Sequence, residues 1–307
     1  MKRYLAMILL LGIGSAGLGV VVAQNDEKVI DIEKLEDNLF VLRGESSGGN
    51  TAIFITTDGV VVVDSKNPGW GQSIIDQIKS LTDNPITTLI NTHSHHDHVS
   101  GNVSFPSTVE IVTHEMTRSN MQAMRPYTGR TEPPVNVFAD TNGQGIPTRT
   151  FTDKMSLGDG ADRIDLYHFG RGHTGGDAWV VFPSLRTLHA GDIFLGKRVP
   201  FLDAENGGSG VEIPETLQKA HDTIKNVDTI ITGHSTQMTW SDLEKWASFN
   251  RDFLETVKTG LSNGKSVDQI ADAWTIPQAY ADYDSPNAGS VRRNVQVISD
   301  ELAAQTP

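Results

Sequence analysis

Two apolar runs, Ala52 to Ile55 and Val60 to Val63, flank Thr56-Thr57-Asp58-Gly59, a spacing that predicts a hairpin with an Asp-Gly turn. The period then changes. From Gln72 to Leu81 the residues Ile74, Ile75, Ile78 and Leu81 fall on one helical face, and Asp83-Asn84-Pro85 ends that helix. Ile86 to Asn91 is short, β-branched and apolar, the pattern of a buried strand ending near Thr92. Similar runs recur at Arg163 to Phe169, up to Leu188-His189, and at Val227 to Thr232. Strands and helices alternating in this order predict an α/β layered sandwich.

Two stretches interrupt the alternation. Arg125 to Arg149 carries Pro126, Pro133, Pro134 and Pro147 and reads as a long ordered loop, while Phe201 to Gly210 is glycine-rich and reads as a cover or a connector. The last third is helical. Ser241 to Glu244 has the spacing of a capping box ahead of Trp246, Phe249, Phe253 and Val257, and Ser266 to Gln269 repeats it ahead of Ile270 and Trp274. A final helix would align Val291, Val295, Ile298 and Leu302. These stripes are core or dimer surface in character, so the tail is expected to pack on the preceding domain, and a homodimer stays open.

Thr92 to His98 reads Thr-His-Ser-His-His-Asp-His and concentrates His93, His95, Asp97 and His98 in seven residues. Such a cluster, buried without a cation, would leave costly unpaired polar groups. In extended chain, positions i and i+2 share a face, so His93 and His95 can hold one ion. Asp97 and His98 can face a second after the chain turns. Four ligands cannot complete two coordination spheres, and candidates follow downstream: His173 in a glycine-rich turn, Asp192 after a strand-like run, and His234 after another. Of the other five histidines, His96 is expected to point to solvent or to a supporting partner, and His221 to pack on a helix opened by Pro214. His114, His168 and His189 lie in strand-like stretches and are expected to be hydrogen-bonded structural residues.

The order His-x-His-x-Asp-His, then His, Asp and His, resembles the metallo-β-lactamase superfamily, and the hairpin ending at Asp64 resembles its opening. The resemblance spans roughly Val29 to His234. It implies an αββα four-layer sandwich with a C-terminal helical appendage, and with the leader read below from the first residues the chain divides as 1–23 leader, 24–240 metal-binding domain and 241–307 appendage. It further implies His93, His95 and His173 on one metal, Asp97, His98 and His234 on the other, Asp192 bridging them, and Asp64 supporting from behind. The metals implied are two divalent ions, zinc first, with iron or manganese compatible with the same donors. Asp97 is the expected catalytic residue, orienting a metal-bridging hydroxide and shuttling its proton. The chain has no cysteine, so the thiolate ligand set of some family β-lactamases is excluded, and the bridging aspartate is closer to glyoxalase II, lactonases and related esterases.

Met1-Lys2-Arg3-Tyr4 followed by an uncharged stretch from Leu5 to Ala23 has the form of a secretory signal cleaved after Ala23, with an uncleaved anchor as the alternative. A periplasmic or secreted address, without stable membrane insertion after cleavage, follows. Without disulfides, stability must come from the packed core. A net charge of −13 and no basic run oppose nucleic acid as a partner and leave a small-molecule substrate. Three functional readings stand: an exported hydrolase of ester, lactone, thioester or related acyl bonds; the same chemistry on β-lactams; and an iron-dependent oxidoreductase resembling the persulfide dioxygenases, or a non-catalytic metal-binding accessory.

Overall fold

The computed structural model describes residues 28–305, so the leader expected at 1–23 lies outside the described residues. Among the described residues, thirteen strands form two sheets. In the first, β1 (Asp31–Glu36), β2 (Leu39–Arg43), β3 (Thr51–Ile55) and β4 (Val60–Val63) run as an antiparallel meander. It continues in parallel through β5 (Ile86–Ile90), β6 (Glu110–His114) and β7 (Arg149–Phe151). The second contains β8 (Lys154–Leu157), β9 (Ile164–Tyr167), β10 (Trp179–Phe182), β11 (Thr187–Gly191), β12 (Thr229–Thr232) and β13 (Met238–Thr239), in order β13-β12-β11-β10-β9-β8. Only β11 and β12 are parallel neighbours there.

The strands read as continuous apolar runs because both of their faces are covered. Val61 and Val63 point into the core between the sheets, where Phe54 and Phe182 meet edge to face at 5.1 Å, whereas Val60 and Val62 pack outward on Ile74 and Ile78. Those isoleucines belong to α1 (Gly71–Leu81), the helix expected from their spacing. On the outer face of the second sheet, Trp179, Val181 and Leu188 pack under α5 (Ile213–Thr223) and α6 (Trp240–Ser262). Helix, sheet, sheet and helix therefore form the four layers of an αββα sandwich. The shorter helices α2 (His96–Val99), α3 (Glu115–Ala123) and α4 (Val137–Asp140) meet in a separate small cluster through Val99, Met121 and Phe138, the last helix being one turn inside the long proline-containing loop.

The C-terminal helices join the same outer core. In α6, Trp246, Phe249, Phe253 and Val257 are buried, and Trp246 Nε1 donates to the Ile193 carbonyl at 3.1 Å. The capping box of α6 differs from the expected one. Thr239 is the cap and Asp242 its reciprocal partner, two residues ahead of Ser241, because the helix begins directly from β13 at Trp240. The box at Ser266 and Gln269 opens α7 (Val267–Ala273) as expected, and α8 (Ala288–Ala304) buries Val291, Val295 and Ile298. Among the described residues no helix is long and apolar enough to cross a membrane.

His189 ties the second sheet to the first. It is fully buried on β11, accepts the Gly191 amide at Nδ1 (3.1 Å) and donates from Nε2 to the Asn50 carbonyl (3.2 Å). Burial lowers its pKa from 6.5 to about 4. The unfolded chain therefore takes up that proton first. Its contribution, on the order of 3 kcal/mol, is fully present above about pH 6.5 and lost as pH falls through the folded value. In EDTA, the urea midpoint should drop between pH 6.5 and 4, and His189→Gln should be less stable at pH 7.5 but less pH-sensitive. Parallel pH curves for the two proteins would remove His189 from the account.

Candidate metal centre

The metal-capable side chains sit where strands end on one side of the sandwich. β5 leads through Asn91 and Thr92 into His93, and the chain then turns at α2, carrying Asp97 and His98. β11 ends at Gly191 before Asp192, β12 ends just before Gly233-His234, and His173 lies in the turn between β9 and β10. Two glycines allow the close approach. A Cβ on Gly49 would collide with the His98 ring, and one on Gly233 with the Asp192 carboxylate.

Each buried ring is pinned from behind, which fixes the nitrogen left for the centre. Asp64 accepts from the Thr92 amide at 2.8 Å, the Thr92 hydroxyl at 2.7 Å and His98 Nδ1 at 2.7 Å. Since the Thr92 hydroxyl donates to Asp64, its oxygen accepts from His93 Nδ1 at 3.0 Å. His173 Nδ1 donates to the Phe201 carbonyl at 2.6 Å, and His95 Nε2 meets Asp203 at 2.7 Å. The atoms turned inward are His93 Nε2, His95 Nδ1, His173 Nε2 and His98 Nε2.

All seven expected side chains converge. His93, His95, His173 and Asp192 each offer a donor atom within 4.8 Å of the others, and Asp97, His98 and His234 do the same. Asp192 faces both sets: its oxygens lie 3.2 Å from His98 Nε2, 3.3 Å from His234 Nε2, 3.7 Å from His173 Nε2 and 3.9 Å from His93 Nε2. Asp64, His93 and His98 also cluster, but both Asp64 oxygens are already engaged, so Asp64 orients its neighbours. The donor set fits cations. His93 Nε2 and one Asp192 oxygen are buried with no hydrogen-bond partner among the described residues, and His173 Nε2 faces His95 Nδ1 at 3.1 Å.

The two sets differ electrostatically. Burial, followed by neighbouring imidazoles, holds His93 well below its ordinary pKa and lowers His173 to about 4, so both are neutral. Burial also opposes charge on His98, but Asp192, Asp97 and Asp64 outweigh it and raise His98 well above its ordinary value. The Asp192 carboxylate similarly lifts His234 to about 9. Burial works against ionising Asp97 and Asp192, yet His98 and His234 hold both carboxyls below their ordinary range.

Three supporting residues were not among the sequence expectations. Asp203 comes from the glycine-rich loop, Tyr127 from the proline-containing one, and Asn50 ties the loop before β3 to Gly233 through its amide and to Thr232 and Ser235 through its side chain. The Tyr127 ring lies 4.3 Å from His95, and its hydroxyl donates to His96 Nδ1 at 2.6 Å. His96 therefore points to a supporting partner. His221 stacks on Trp240, and His114 stacks on His168 at 4.0 Å, the latter one residue beyond β9. Proline spacing and Gly207-Gly208 marked the two loops, but nothing local marked which side chain in them would turn inward.

Residues 47–234 match the family profile of the Metallo-beta-lactamase superfamily. The chain is 27% identical over 256 residues to the Metallo-beta-lactamase type 2 of Elizabethkingia meningoseptica, covering 79% of this chain and 91% of that protein. Among solved structures, a metallo-beta-lactamase from Pontibacter korlensis superposes with a TM-score of 0.58 at 18% identity, covering 73% of this chain and 99% of that one. The sec-alkylsulfatase Pisa1 from Pseudomonas sp. gives 0.69 at 12% identity, covering 89% of this chain, which spans half of that protein. With the profile matching more than half of its length, the chain belongs to the Metallo-beta-lactamase superfamily and has a metallohydrolase fold.

Proposed function

We propose that this chain is an exported dinuclear metal-dependent hydrolase, using zinc, that cleaves an ester, lactone, thioester or related acyl bond. The observation that carries the reading is Asp192, whose two oxygens lie between two separate sets of inward-turned donors. His93, His95 and His173 would hold one ion and Asp97, His98 and His234 the other, with Asp192 shared. When bound, such ions lower the pKa of water and polarise a carbonyl group. Borderline-soft imidazole nitrogens with carboxylates suit zinc. Export rests on the basic start and the uncharged stretch ending at Ala23.

The chain's own groups supply the rest. Asp97 and His234 are the donors partly open to solvent, at 21% and 29% side-chain exposure, so substrate enters on their side. Asp97, partly open to solvent beside His234, is placed to take the proton of the attacking water and return it to the leaving group. Asp64 and Asp203 keep His98 and His95 in fixed tautomers, and the Phe201 and Tyr127 rings exclude water around His95. A second reading, β-lactam hydrolysis, is favoured by the match to the Elizabethkingia meningoseptica protein over 91% of its length. Aspartate at position 192 in a cysteine-free chain keeps the broader acyl reading first.

Elemental analysis of the purified protein, with hydrolysis of a chromogenic cephalosporin and of a lactone in the same preparation, tests both readings. About two zinc per chain with turnover supports the hydrolase, and the preferred substrate separates the readings. Iron with no hydrolysis of either overturns them. At matched metal content, Asp97→Asn should lower kcat by about 10²- to 10⁴-fold with little change in KM. Loss confined to KM would remove the proton-transfer role. Asp203→Asn should weaken metal affinity by about 10- to 100-fold in chelator competition while leaving the circular dichroism spectrum intact. Unchanged affinity would make Asp203 a loop anchor only.

A further inference from the structure

Lys66, three residues beyond β4, is fully buried. Its Nζ donates to two neutral acceptors, the Leu42 carbonyl at 3.0 Å and the Gly49 carbonyl at 2.7 Å. Burial, with Arg43 nearby, pushes its pKa down to about 7 against the opposing pull of Asp64 and Asp97. An amine in such a place costs free energy that an apolar side chain of similar length would not. What the apolar side chain could not supply is the pair of bonds to Leu42 and Gly49, so the use of Lys66 lies in what those bonds hold.

Leu42 lies in β2 and Gly49 just before β3, so Lys66 joins the two ends of the loop over 44–50. Asn67 holds its middle, donating from its amide to the Ser47 carbonyl at 2.9 Å and from its side chain to the Ser46 carbonyl at 3.0 Å. The loop held in this way reaches all three members of the second donor set. The Gly49 amide donates to the Asp97 carbonyl at 2.9 Å, Gly49 lies against the His98 ring with no room for a Cβ, and the Asn50 amide donates to the carbonyl of Gly233, next to His234, at 2.7 Å. Asp64 and Lys66 both occupy the left-handed region, at φ 63° and 68°. That strain turns the Asp64 carboxylate toward Nδ1 of His98 and the Lys66 amine toward the loop that lies on the same ring.

We infer that Lys66 is a positioning residue for the second donor set: by holding residues 44–50 against Asp97, His98 and Gly233 it sets how tightly that set takes a divalent ion, without touching the ion. The inference rests on the two-ion reading for its consequence, and on the bonds of Lys66, Gly49 and Asn50 for its geometry. Groups that orient metal-binding side chains from behind act on affinity through the placement of the donors, and Lys66 does so through one intervening stretch of backbone.

The test titrates the metal-free protein with zinc in competition with a chelator. Lys66→Met should weaken uptake of the second ion by about 10- to 100-fold and leave the first unchanged. Asn67→Ala, which removes the Ser46 contact alone, should shift the second step the same way by less. Because the chain has no cysteine, Lys66→Cys can be alkylated selectively with 2-bromoethylamine in urea, the thiolate displacing bromide, and then refolded beside the parent protein carried through the same cycle. The amine restored in this way should recover the second step. Equal weakening of both steps, weakening of neither, or a refolded adduct that stays weak would overturn the inference. Hydrogen exchange in EDTA gives a readout without metal: amides of residues 98–99 and 235 should lose protection in Lys66→Met while those of 172–175 keep theirs. Loss confined to 44–50, or spread through the chain, overturns the positioning role. A parent protein that takes up a single zinc counts against the two-ion reading alone, and the exchange pattern then decides the role of Lys66. If Lys66→Met does not fold, Asn67→Ala decides both measurements.

Discussion

One buried carboxylate, Asp64, sets the geometry on which the centre depends. It is inaccessible to solvent and sits in the left-handed region at φ 63°, a conformation that costs a non-glycine residue about 1 kcal/mol or more. Three donors offset that cost and the burial of its charge: the Thr92 amide, the Thr92 hydroxyl and His98 Nδ1. Through Thr92 it also sets His93, so one acid orients a ring in each donor set. Thr92 in turn accepts the Ala178 amide and packs against Gly191, the residue before Asp192. The loop after β5, the turn holding His173 and the end of β11 thus meet around a single charge.

Apolar periodicity made the sheets and α1 readable from the chain, because each strand has two covered faces and each face has its own core. Val60 to Val63 divides between the cores residue by residue. The seven convergent side chains were readable for another reason: histidine and aspartate at those spacings have few other uses. Asp203 could not be found the same way. It meets His95 across 108 residues of chain, and an aspartate in a glycine-rich loop is locally indistinguishable from any solvated acid. The cap of α6 was displaced because β13 hands the chain to the helix with no intervening turn, and β13 is only two residues long. Short pairing of that kind is a product of tertiary contact, with no period of its own to detect.

The C-terminal helices do more than cover the second sheet. Trp246 holds Ile193 next to Asp192, Asn294 donates to the Pro200 carbonyl at 2.7 Å, and Glu301 accepts the Gly210 and Val211 amides. Both ends of the segment carrying Phe201 and Asp203 are therefore fastened to α8. Since those two residues orient His173 and His95, the appended helices reach the centre through hydrogen bonds in series.

The unequal protonation of the two donor sets has a consequence for metal loading. His93 and His173 are neutral through burial, which is already the form a cation requires, so occupancy there displaces no proton from either ring at neutral pH. His98 and His234 are different: the carboxylates around them stabilise the imidazolium, and a metal must expel those protons before it can use the same lone pairs. The acids that would bind the second ion thus also retain the competing protons. With His234 titrating at about 9, metal affinity at that set would rise as pH increases toward that value, while His93 and His173 have no proton to release over the same range. Were two cations bound, Asp97 and Asp192 would thus both attract the second one and retain the protons that compete with it.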